Sequence, residues 1–322
     1  MSSLPASFAS LKLPIVVAPM FLISGPELVI ACARNGMVGT FPALNHRTTE
    51  GFEEWVVQIK TAISEMDQPV PFGVNLIVHP TNPRLMADIE VIVKHQVPLV
   101  ITSLGAVPDL VDAVHSYGGL VFHDVINRRH AEKAAAAGVD GLILVSAGAG
   151  GHAGTLNPMA FVNEIRSFYQ KTILLSGCIS TGQDVASALQ MGADLAYMGT
   201  RFINTTEAHV DQAYQQMIIE SGTSDIVYTA AVSGVKANFM KKSLEAAGIP
   251  EERWSQSAKI DFGKELDAAK AEAKAWKTIW SAGQGVASID DVMPVDELAA
   301  ELSHDFRAAI HKQYTLLQQY GL

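Results

Sequence analysis

Short runs of β-branched and other apolar residues alternate with longer Ala-rich or amphipathic stretches along the first 205 residues. Within each run the apolar positions are mostly continuous, as expected of strands covered on both faces in a parallel sheet with crossover helices. Eight runs read as strands: 15–19, 38–42, 72–78, 99–103, 120–125, 141–147, 172–177 and 195–200. The intervening helices carry end signals. Ser24-Gly25-Pro26-Glu27 reads as a capping box with an early proline. Gly36 after Asn35, Gly138 after 129–137 and Gly192 after 183–191 stand where a left-handed residue ends a helix.

Eight βα units predict an α/β fold, a (β/α)8 barrel with its site at the C-terminal ends of the strands; a doubly wound open sheet is the alternative. The barrel would gather Pro19-Met20, Asn75, Ser103, His123-Asp124, His152, Gly177 and Gly199-Thr200 at one mouth. Beyond 205 the pattern turns helical, over 207–221, 240–247 and 262–277, with no further strand alternation. The expected organisation is a barrel over 1–205, a smaller, mostly helical domain over 206–290, and a helical segment over 291–322 packing back on the barrel. The charge-rich run 265–274 reads as a solvated helix and carries no chemistry.

Of the 322 residues, 48% are hydrophobic and 17% charged, which fits a globular protein with a large core. A net charge of -10 without a basic run argues against a nucleic-acid partner. No apolar run reaches the roughly 20 residues needed to span a bilayer, so no membrane role is expected. Two distant cysteines and an N-terminus without a signal-peptide pattern fit a reducing cytoplasm. The histidines share no metal-ligand spacing, and no metal site is expected.

The densest candidate chemistry is Val145-Ser146-Ala147-Gly148-Ala149-Gly150-Gly151-His152-Ala153-Gly154, a glycine-rich loop ending in an imidazole after strand six. Small residues let backbone approach a flat ring system, and His152 is the one nearby side chain suited to moving a proton near neutral pH. A structural hydrogen-bonding histidine is the plainer reading. The ends of strands seven and eight, Ser176-Gly177-Cys178 and Met198-Gly199-Thr200-Arg201, fit a phosphate site, with the Thr200 hydroxyl or Arg201 guanidinium adding donors. In the plainer reading these glycines only end strands and Arg201 pairs with a carboxylate. Cys178 is either a reactive thiol with a lowered pKa or a small residue. His123 and Asp124 are either a hydrogen-bonded pair or structural.

Ala18-Pro19-Met20, Gly73-Val74-Asn75-Leu76, the Gly150-Gly151-His152 loop, Met198-Gly199-Thr200-Arg201-Phe202 and Ser281-Ala282-Gly283-Gln284-Gly285 together resemble the nitronate monooxygenase family, also called 2-nitropropane dioxygenases. The resemblance implies an FMN-dependent TIM-barrel flavoprotein that oxidises nitronates or nitroalkanes with dioxygen to a carbonyl compound and nitrite. It implies His152 as catalytic base. Ala18, Pro19, Met20, Asn75, Asp124, Gly150, Gly151 and Met198 would lie about the flavin, and Ser176, Gly177, Gly199 and Thr200 would cradle its phosphate. Gln284 and Gly285 would approach from the second domain, and a homodimer is compatible with the family. The chain departs from relatives in Ser146-Ala147-Gly148-Ala149 ahead of the histidine motif, in Asp124 where a subgroup has lysine, and in Ser233-Gly234-Val235-Lys236-Ala237-Asn238 where many have a final arginine.

Three rivals stand beside that reading. One is an NAD(P)H-dependent flavin reductase acting on a quinone or enoyl thioester. The second is a flavin-free isomerase or aldolase of phosphorylated molecules, and the third is a non-enzymatic binding barrel.

Overall fold

The computed structural model describes residues 4–105, 107–232, 234–256 and 279–321. Eight parallel strands close into a barrel in the order β1 (Ile15–Val17), β2 (Val38–Pro42), β3 (Gly73–Ile77), β4 (Leu99–Ser103), β5 (Leu120–Val125), β6 (Gly141–Val145), β8 (Thr172–Ser176) and β9 (Leu195–Met198). The eight predicted runs are these strands, each prediction containing the observed one. Closure leaves no sheet edge, and the open-sheet alternative is set aside.

Side-chain alternation explains why the runs are apolar throughout. Val16, Ile101, Phe122, Ile143 and Leu174 fill the interior, while Val17, Val100, Val121, Leu142 and Leu175 face the surrounding helices. Ahead of β1, Phe8 inserts into the interior and meets Phe122 edge-on, ring centroids 5.9 Å apart. The barrel is therefore filled, and open space lies at the C-terminal ends of its strands.

The outer layer holds α1 (Pro26–Arg34), α2 (Thr49–Ser64), α3 (Leu85–His95), α4 (Pro108–His115), α5 (Arg128–Ala136), α6 (Pro158–Arg166), α7 (Gly182–Gln190) and the one-turn α8 (Thr200–Ile203). Gly36, Gly138 and Gly192 have φ of 71°, 91° and 106°, the left-handed stops expected of them. The capping box at Ser24 does not form. Gly25 is the N-cap of α1 without a side-chain bond, and Ser24 Oγ accepts from the Met20 amide at 2.9 Å, so the hydroxyl serves the β1 loop instead.

The region after the barrel is not helical alone. Besides α9 (Gln212–Ile219) and α10 (Lys241–Ala246) it holds β10 (Ile226–Thr229) and β11 (Ala237–Met240), an antiparallel pair. A third strand, β7 (Gly151–His152), comes from the glycine-rich loop, with Ala237 opposite His152 and Asn238 opposite Gly151. A single closing helix, α11 (Val295–Gln319), returns Val295, Leu298 and Leu302 to the barrel's outer core beside Val185 of α7. The helix expected over 262–277, with the charged run inside it, lies outside the described residues. Among the described residues no helix is long and apolar enough to cross a membrane.

Candidate active site

A cavity of about 1100 Å³ opens at the barrel mouth, above the upper end of the range usual for sites of drug-sized ligands. It is walled by Ala18, Pro19 and Met20 after β1, Asn75 of β3, Asp124 of β5, Gly150, Gly151 and His152, Ser176 and Gly177 at the end of β8, Gly199 and Thr200 after β9, and Gly285. Thirteen of the fifteen residues expected at the site thus share one cavity wall, drawn from six barrel strands or their loops and a distant turn. Met198 and Gln284 are the exceptions. The Met198 side chain packs outward between barrel and helices, and only its carbonyl serves the site's edge, accepting from Ala18 N at 2.8 Å. Gln284 donates its amide to Gly148 O at 2.8 Å, and its side chain turns toward Cys178.

His152 is held from both sides. Ladder pairing with Ala237 fixes its backbone, and Tyr228 Oη donates to the next carbonyl, Ala153 O, at 2.9 Å. Gly151 reaches this bend with φ of 68°, and a Cβ there would meet no atom within 4 Å, so the backbone borders open space. Its amide donates to Ser281 Oγ at 2.7 Å, and Ser281 Oγ donates in turn to Asn238 O at 2.6 Å. Asn238 is buried and its Nδ2 donates to Ala149 O at 2.6 Å. Asn238 therefore places a short amide against the loop that carries the histidine.

Burial lowers the His152 imidazole from 6.5 to about 4, well below the ordinary value expected of it. An imidazole so lowered is neutral near pH 7, and negative charge developing beside it raises its affinity for a proton.

Asp124 and His123 do not pair with each other. His123 Nδ1 lies 2.7 Å from Thr102 Oγ1, and burial lowers this imidazole to about 4, with His130 and Lys133 adding repulsion. Asn75 Nδ2 donates to Ser103 Oγ at 2.8 Å, and Ser103 Oγ donates to Asp124 Oδ2 at 2.5 Å. Asp124 Oδ1 is shielded from solvent and has no hydrogen-bond partner among the described residues. Desolvation lifts this carboxyl to about 6 against the bond from Ser103. Tyr197, buried in the barrel and lining the cavity, is pushed upward by burial and by Asp124.

At the ends of β8 and β9, Gly177 has φ of 126° and Cys178 a left-handed φ of 58°. A Cβ on Gly199 would sit in ordinary van der Waals contact, 3.5 Å from Ala18 Cβ and 3.8 Å from the Met20 side chain, so a methyl fits there without a clash. Thr200 Oγ1 accepts from Gly283 N at 2.9 Å, which ties the turn after residue 279 to this corner while the hydroxyl proton stays available. Arg201 is absent from the cavity wall. It is 2% exposed and pairs with Asp291 at 3.0 Å, the structural role among its two readings. The Cys178 thiol is raised by burial and by Asp184, not lowered, which removes the reactive-thiolate reading.

Sequence reasoning missed the struts behind the loop: Ser281, Asn238, and Tyr214, whose Oη donates to Ser281 O while its ring stacks on Trp280 at 4.9 Å. Ser281 and Asn238 stand in segments singled out on other grounds and Tyr214 in none, and their role was hidden because each acts through a partner far away in the chain.

An apolar floor, uncrowded glycine backbone at the β9 end and an unpartnered buried carboxyl oxygen at the wall are features that a flat, hydrogen-bonding cofactor with a phosphate would fill. Comparisons with known proteins bear on the family and the fold. A family model described as nitronate monooxygenase matches residues 83–305. The chain is 26% identical to a nitronate monooxygenase of Paraburkholderia phytofirmans, over 93% of each chain. Among solved structures, nitroalkane oxidase from Streptomyces ansochromogenes superposes with a TM-score of 0.81 over 96% of this chain and 100% of that one, at 22% identity. FabK from Thermotoga maritima superposes with a TM-score of 0.78 over 96% and 97% of the two chains, also at 22% identity. At that identity both likenesses speak for the shared fold. With its barrel, its loop histidine and the family match over most of its length, the chain belongs to the nitronate monooxygenase family of flavin-dependent oxidoreductases.

Proposed function

We propose that this chain is an FMN-dependent nitronate monooxygenase that oxidises nitronates, or the nitroalkanes that give rise to them, with dioxygen. The observation that carries the reading is the presentation of a neutral His152, by the Gly150-Gly151 bend, into the cavity that Ala18-Pro19-Met20 and Gly199-Thr200 also line.

The FMN phosphate would be held by Ser176, Gly177, Gly199 and Thr200, and the ring system by Ala18, Pro19, Met20, Asn75, Asp124, Gly150 and Gly151, with Gly285 closing from the other side. FMN bound there supplies the redox chemistry that links the nitronate carbon to dioxygen. The protein's share is proton handling and placement. A nitroalkane has an acidic C–H beside its nitro group, and His152 removes that proton. Its low basicity is offset at that moment, because the nitronate forming beside it favours the imidazolium. A nitronate anion offered directly needs no such transfer, and His152 then only orients it. Asp124, held by Ser103, offers the cavity a carboxyl that is largely neutral below about pH 6 and donates from Oδ1. The conversion balances as two nitronate anions and one dioxygen giving two carbonyl compounds and two nitrites.

Mixing FMN-loaded protein anaerobically with ethyl nitronate in one cuvette and NADH in another tests the reading. Bleaching of the visible flavin bands by nitronate, with little change from NADH, is expected. Rapid bleaching by NADH alone would make the protein a reductase.

A further inference from the structure

The mouth of the cavity has a cationic side. Arg129, His130 and Lys133 of α5 line it, and Lys236 joins them from the segment leading into β11. In a chain with 33 acidic and 23 basic residues, cations gathered with no carboxylate paired to them need an explanation, although Asp124 and Asp211 line other parts of the same cavity. The ion pairs among the described residues leave Arg129, Lys133 and Lys236 without a carboxylate partner. Arg128 beside them differs, since it pairs with Glu132 at 2.7 Å and lies over the Phe168 ring. Arg129 and Lys133 are four residues apart, on one face of the helix.

Their placement runs against the helix. Arg128, Arg129 and His130 fill the first turn of α5, which holds no acidic residue, and cations at a helix N-terminus oppose its dipole. Asn127 already caps the helix through the His130 amide, so the cations serve no capping role. Their mutual repulsion is felt locally, since His130 is depressed by burial and then by Arg129 and Lys133. Groups that oppose their local environment without a partner in the fold mark a place where a ligand supplies the compensation.

This corner is not the cofactor-phosphate corner. The glycines at the ends of β8 and β9 are separated from α5, which follows β5, by β6 in the barrel order. Lys236 instead belongs to the substrate side, because its carbonyl accepts from Ala153 N at 3.4 Å, next to His152, and its Nζ lies 5.6 Å from the Tyr228 ring centre.

Part of the rim is apolar and is built at a backbone cost. Leu22 and Leu104 line the mouth, 38% and 43% exposed, with left-handed φ of 62° and 68°. Such conformations in leucine persist where the surroundings impose them and cluster at ligand clamps. Ile126, also exposed, adds a third apolar side chain.

We infer that Arg129, Lys133 and Lys236 form a subsite for the phosphate groups of a second, extended ligand, whose apolar middle lies along the Leu22, Leu104 and Ile126 rim and whose reactive end reaches toward His152. Two ligands share this chemistry, a nicotinamide dinucleotide phosphate and a coenzyme A thioester. The subsite does not depend on nitronate oxidation, and its test reads binding and not turnover.

Calorimetric titration of the FMN-loaded protein with NADPH, coenzyme A and inorganic pyrophosphate tests the inference. NADPH or coenzyme A should bind, weaken as salt is raised, and lose about tenfold or more in affinity in Arg129→Glu and again in Lys236→Glu. Tight NADPH would identify the dinucleotide, and tight coenzyme A the thioester. Lys312→Glu, on the exposed surface of α11, should leave the affinity unchanged, and melting curves establish that each variant is folded. Absence of binding by both nucleotides, binding of pyrophosphate alone, or affinities indifferent to the Arg129 and Lys236 reversals would overturn the inference.

Discussion

The backbone N–H of Gly151 donates to Ser281 Oγ at 2.7 Å, joining residues 130 positions apart in sequence. Since Gly151 precedes His152, the position of the imidazole depends on a hydroxyl contributed by a distant turn. Ser281→Ala leaves the Gly151 amide without its acceptor, a loss of roughly 1–3 kcal/mol where the group stays out of water. The expected outcome is a lower melting temperature and a fall in kcat that exceeds any loss of FMN affinity. An unchanged kcat in steady-state assays would show that this strut does not position the histidine.

Two glycines of the same corner should respond in opposite ways. Gly199 has φ of -115° and room for a Cβ, so Gly199→Ala should keep the melting temperature of the FMN-free protein. The added methyl enters the space assigned to the cofactor, and FMN affinity should drop about tenfold or more when followed by quenching of flavin fluorescence. Gly177 has φ of 126°, and a Cβ would lie 2.4 Å from Ser146 Oγ, so Gly177→Ala should destabilise the fold itself by more than about 1 kcal/mol. Full FMN affinity in Gly199→Ala would move the cofactor away from β9.

His152→Asn separates the base from the orienting group. FMN should remain bound, while turnover of neutral nitroethane falls about a hundredfold or more, the usual worth of a positioned base. Turnover of ethyl nitronate, which needs no deprotonation, should fall far less. Equal losses on the two substrates would count against the base role.

The barrel was legible because a strand buried on both faces has to be apolar on both, and that signature survives in a single sequence at Val121-Phe122 or Leu142-Ile143-Leu144. The second sheet was not, for reasons visible in its residues. β10 and β11 are four residues each, β11 contains a buried Asn238, and their third partner is a Gly-His dipeptide about 85 positions earlier, too short for any periodicity. The motif residues converged as expected, because a barrel sends every strand end to one mouth. The depressed basicity of His152 and the weakened acidity of Asp124 were out of reach, since both arise from enclosure that neighbours in sequence do not reveal. Ser24 shows the same limit locally: a good cap by composition, it is taken by the Met20 amide.

Acid should destabilise the FMN-loaded protein through two histidines, with Asp124 opposing them. His123 and His152 take up protons near 6.5 in the unfolded chain but only near 4 when folded. The stability they confer is complete above about pH 6.5 and is lost as pH falls toward 4, about 3 kcal/mol for each on conversion of the shifts. Asp124 acts in the opposite sense. Its folded carboxyl titrates near 6 and its unfolded one near 3.8, so it weakens the fold above about pH 6, and that penalty fades as pH falls to 3.8. His123→Gln should flatten the loss of stability between about pH 6.5 and 4 in urea titrations. Asp124→Asn keeps an acceptor for Ser103 and should stabilise the protein at about pH 8 by on the order of 2–3 kcal/mol while steepening the loss on acidification. A destabilised Asp124→Asn at that pH would mean that the carboxylate is held charged by a partner and is not a neutral donor to the cavity.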